Sequence, residues 1–60
     1  MKVTSSFSLA HKLIVFIDTE VNPSPALRAL IRGEQKKYKQ GFSEVVVMGA
    51  KNSVVTYRTA

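Results

Sequence analysis

Sixty residues leave room for one domain, and a chain this short buries only about 60% of its unfolded surface, so its stability is marginal. Hydrophobic residues make up 45% and charged residues 22%, which is globular composition, and the absence of cysteine excludes disulfides and any Cys-ligated metal. Nine Lys+Arg against four Asp+Glu give a net charge of +5, a balance that favours anionic partners without specifying a fold.

In chain order, residues 3–9 alternate, with Val3, Ser5, Phe7 and Leu9 on one side and Thr4, Ser6 and Ser8 on the other. That period of two predicts a half-buried strand. Ala10-His11-Lys12 closes a tight connection, although no Gly or Asn supports it. Leu13-Ile14-Val15-Phe16-Ile17 is continuous and apolar, as a strand covered on both faces would be. It is also the only solid apolar run near the start. It is too short for a signal-peptide core and far short of a membrane span, so the expected location is cytoplasmic.

Asn22-Pro23-Ser24-Pro25 reads as a stop followed by a start. Pro23 biases Asn22 away from helix, Ser24 suits an N-cap, and Pro25 suits the first helical position. The spacing predicts a helix over 25–40, closed by Gly41 as the C′ residue. Gly33 within it implies close packing or a bend. Residues 42–48 and 54–58 then read as two strands around the turn-forming segment 49–53, an antiparallel hairpin. The expected fold is therefore α+β: one small domain over residues 1–60, with an antiparallel sheet of three to four strands (ββαββ or βαββ) and one helix on one face.

At about 100° per residue, Leu27, Leu30, Ile31 and Tyr38 share one helix face. Arg28, Arg32, Lys36 and Lys39 fall opposite, with Gln35 among them. Glu34 lies beside Leu30 and Tyr38, at the core margin next to Lys37. Residues 24–40 hold five Lys/Arg and one Glu, net +4, so nearly all of the excess charge rides on this segment. The strands, meanwhile, carry apolar residues on both faces: Leu13, Val15 and Ile17 against Ile14 and Phe16, and Val45 and Val47 against Val46 and Met48. One helix covers one face, so the other predicts self-association as a homodimer.

Asp18 to Asn22 begins like an EF-hand loop, but Pro23 stands where Gly belongs and Ala29 where Glu belongs. The segment Ile14 to Glu20 is similar to the first motif of DnaQ-like exonucleases, in which a strand delivers an Asp-x-Glu pair to magnesium. That resemblance spans seven residues, and the family's further aspartates have no counterpart, since Asp18 is the single aspartate. Asp18 and Glu20 read instead as the solvated end of a strand. His11 has no base or nucleophile placed by spacing, and no phosphate-binding glycine loop occurs. The chain reads as a binding module, not an enzyme, with no cofactor and no metal.

Two functions fit. The first is nucleic-acid binding (DNA or RNA): the stripe Arg28, Arg32, Gln35, Lys36 and Lys39 contacts phosphates, with Lys37, Lys51 and Arg58 auxiliary. The second is an inhibitor or adaptor of the kind found among short phage and mobile-element proteins, docking on an acidic surface of a host protein.

Overall fold

Two apolar runs, one on each side of the helix in sequence, lie next to each other in the centre of a sheet. In the computed structural model, which describes residues 1–38 and 40–58, strand β1 (Val3–Leu9) pairs antiparallel with β2 (Lys12–Ile17). The helix α1 (Pro25–Gln35) carries the chain across, and β3 (Glu44–Met48) returns parallel to β2. A short 3-10 turn at Ala50–Asn52 then leads into β4 (Val54–Arg58), antiparallel to β3. The sheet order is β1-β2-β3-β4. The fold is α+β with four strands and one helix, as expected, but the sheet is mixed and not wholly antiparallel. The reason is the connection: a helical crossover delivers the next strand in the same direction, which a tight hairpin cannot do.

The core lies between α1 and one sheet face. Leu13, Val15, Val45 and Val47 are completely buried from the sheet, Leu27 completely buried and Ile31 nearly so from the helix, with Ile17, Val21 and Phe42 closing the ends. The helix starts where the sequence places it. Ser24 is extended, its Oγ accepts the Leu27 N–H at 3.1 Å, and Pro25 follows.

It ends earlier than expected, at Gln35, and Gly41 is not its C′ residue. Past Lys36 the chain tightens into i→i+3 bonds, from Lys37 N–H to Glu34 O and from Tyr38 N–H to Gln35 O. That tightening turns Tyr38 inward, where its ring meets Phe42 edge-on at 5.6 Å.

The first strand also departs from simple alternation. Val3 pairs with Ile17 and Ser5 with Phe16, so a bulge sits at Thr4. Beyond it, Ser6 and Ser8 share the helix side with Val15 and Leu13, while Phe7 and Leu9 pass to the opposite face. The bulge keeps Val3 against the core, and Phe7 and Leu9 are 46% and 60% exposed.

That opposite face is uncovered. Its central rows run Phe7–Ile14–Val46–Thr56 and Ser5–Phe16–Met48–Val54, and a charged row, Lys12–Glu44–Arg58, follows at one end. Ile14 is buried there by its neighbours alone, and Phe7 and Phe16 stack at 6.2 Å. Among the described residues, no helix is long and apolar enough to cross a membrane.

Candidate anion-binding groove

How α1 sits on the sheet separates its charges. Leu27 and Ile31 point down into the core, so residues on the two sides of that line overhang the two sheet edges. On the β1 side lies Glu34, the helix's one carboxylate. It is buried, accepts from Ser6 Oγ at 3.1 Å and pairs with Lys37 Nζ at 2.9 Å. Ser6 Oγ also lies 2.9 Å from the Tyr38 hydroxyl. The negative charge of the helix is therefore consumed internally, and Lys37 is committed with it.

On the β4 side lie Arg28, Arg32 and Gln35, whose i, i+4, i+7 spacing makes one stripe. Together with Ile31, Val45, Tyr57 and Arg58 they line a groove of about 190 Å³. Among the described residues no carboxylate lines it. Among the described residues none of its three arginines is in a salt bridge, because the two ion pairs present, Lys12–Glu44 and Lys37–Glu34, both use lysines. The Arg28 guanidinium lies 5.5 Å from the Tyr57 ring centroid, within cation–π range, so the aromatic ring holds it at the groove wall. The Tyr57 hydroxyl is buried and, among the described residues, has no hydrogen-bond partner.

The expected stripe is thus divided. Arg28, Arg32 and Gln35 come together, while Arg58, at the end of β4, borders the groove with its side chain turned by strand alternation toward the opposite face, in the row of Glu44. Lys36 is exposed, one turn beyond Arg32, and does not line the groove. The arginine row runs along the flank of the helix over β4, not directly opposite the core face. Lys37 is tied to Glu34. Lys39 lies outside the described residues. Lys51 sits in the turn before β4, at the far end of that strand from Arg58, with an unusual φ of 58°. Val54 and Arg58 lie four residue steps apart along the strand, about 13 Å, so Lys51 and the groove do not form one site.

Tyr57 is the residue the sequence reading passes over. Its signal was its position, one residue before Arg58 in a strand whose alternation turns Val55 and Tyr57 to the helix side. At the end of β2, Asp18 Oδ1 accepts the Lys2 N–H at 2.8 Å and Glu20 is exposed. Among the described residues no group of three potential metal ligands occurs. Comparison with protein-family models, with curated proteins and with solved structures finds no match.

Proposed function

We propose that the protein binds nucleic acid, gripping the phosphate backbone in the groove between α1 and β4. The observation that supports this reading is the pairing of Arg28 and Arg32 on one concave surface, with Arg58 at its border and no acidic partner for them among the described residues. Guanidinium groups match phosphate oxygens bidentately and stay charged at any working pH. Lys36 extends the positive strip along the helix, and Gln35 adds a neutral donor.

Such contacts position a polyanion without reading its bases, so affinity follows salt steeply and sequence weakly. The test is a salt titration with labelled DNA and RNA. Arg28→Ala and Arg32→Ala should each weaken binding to all sequences alike and lower the salt slope by about 1. Affinity too weak to measure even at low salt would end the reading and leave an acidic protein surface as the partner to seek.

A second feature bears on how the module is used. We infer that two copies pair through the uncovered sheet face, where Phe7, Leu9 and Val54 are exposed. A twofold interface needs a patch complementary to itself. An apolar centre meets that condition, and Lys12 and Glu44 at its border supply both signs. This face is the reverse of the one bearing the groove, so pairing leaves both grooves open.

A further inference from the structure

The groove holds more than a run of positive charge, and resting on the nucleic-acid reading, we propose that it is a seat for the terminal phosphate of a strand. Three features separate an end from an internal phosphodiester. The first is size: about 190 Å³ is below the usual range for small-molecule pockets, roughly 300–1,000 Å³. One phosphoryl group and part of its sugar fill it, whereas the nucleosides on either side of an internal phosphate would lie outside it on the open surface. The second is charge. Two guanidiniums, Arg28 and Arg32, without a carboxylate partner among the described residues match a dianion better than a monoanion, and a phosphate monoester carries about −1.5 to −2 at neutral pH.

The third is the Tyr57 hydroxyl. It is a buried polar atom without a partner, a condition that costs stability and that functional sites tolerate because the ligand completes it. A terminal phosphate offers three free oxygens, one more acceptor than a diester has. The hydroxyl is shut off from solvent, and Arg28 lies over the same ring. In the proposed complex the phosphate draws that guanidinium off the ring, and the hydroxyl then donates to it. Ile31 and Val45 form an apolar lining that keeps these bonds out of bulk water.

The experiment compares one labelled oligonucleotide carrying a 5′-phosphate, a 3′-phosphate or neither, by fluorescence anisotropy at fixed salt. A phosphorylated form should bind about tenfold more tightly than the unphosphorylated strand, and inorganic pyrophosphate should compete. Tyr57→Phe should erase most of that preference while melting at the same temperature as the parent or higher, since it removes an unpaired hydroxyl and keeps the ring under Arg28. Equal affinity for all three strands overturns the inference and leaves general backbone binding in place. A Tyr57→Phe variant that keeps the full preference also overturns it. Binding to none of the strands at low salt overturns both readings together.

Discussion

Two of the three glycines in this chain are opposite cases. Gly49 has an extended backbone (φ −142°, ψ −163°), so left-handed geometry does not require it. A Cβ at that position would collide with the Thr19 carbonyl oxygen and come within 2.6 Å of Val21 Cγ2. The loop after β2 lies across the β3–β4 turn there, held by Ala50 N–H to Thr19 O and by Val21 N–H to Ser53 Oγ. Backbone cannot yield as a flexible side chain would. Gly49→Ala should therefore cost about 1–3 kcal/mol, as overpacking does. Gly33 is the contrary case. A Cβ there meets nothing within 4 Å, and the residue lies exposed inside α1, so close packing does not account for it. Gly33→Ala should stabilise the protein by about 1 kcal/mol through helix propensity. Urea midpoints of the two variants, moving in opposite directions, check both.

At the scale of elements, the buried carboxylate of Glu34 joins α1 to β1. Its partners come from three places: Ser6 on the strand, Lys37 in the turn after the helix, and Tyr38 through the shared serine hydroxyl. Removing the serine oxygen leaves an ion buried with fewer bonds, and that loss exceeds the net value of an ordinary hydrogen bond. Ser6→Ala should destabilise by about 1–3 kcal/mol. Ser8→Ala, two residues along on the same side of β1 but exposed, should stay within about 0.5 kcal/mol. Denaturant unfolding of the two serine variants tests the contrast, and equal losses would mean that the strand and not the carboxylate sets the effect.

These same elements mark what local sequence conveys. The cap at Ser24-Pro25, the strand at the apolar run of β2 and the turn-rich hairpin after Gly41 are each written in a few adjacent residues and each forms, although β2 is covered by the helix on one face only. The Thr4 bulge and the early end of α1 are not written locally. The bulge follows from the need to keep Val3 on the core while Ser6 reaches Glu34, 28 residues away. The helix end follows from Tyr38 turning in to Ser6 and Phe42. Both are tertiary demands that override period and propensity. The groove is legible in part for the same reason: Arg28, Arg32 and Gln35 share a local spacing, whereas Tyr57 and Arg58 reach them only through the sheet.

For the whole molecule the two faces call for opposite responses to salt. The uncovered face measures roughly 20 by 20 Å from strand spacing and rise, about 400 Å² in projection. Stable dimers bury about 800 Å² per partner, so pairing through this face is weak and reversible. Two copies at +5 each also repel one another, and a Debye length of about 8 Å at physiological ionic strength only partly screens that repulsion. Added salt should strengthen the dimer while it weakens the grip on nucleic acid. Sedimentation at several protein and salt concentrations should show the mean mass rising with both. Phe7→Lys, which places a charge at the exposed centre of the face, should hold the protein monomeric. It should leave the affinity of the groove for nucleic acid unchanged, because Phe7 sits on β1 at the opposite edge and the opposite face of the sheet. A mass that stays at the monomer value under every condition would refute pairing. A Phe7→Lys protein that lost nucleic-acid binding would instead place the binding surface on the open sheet, where the stacked phenylalanines lie.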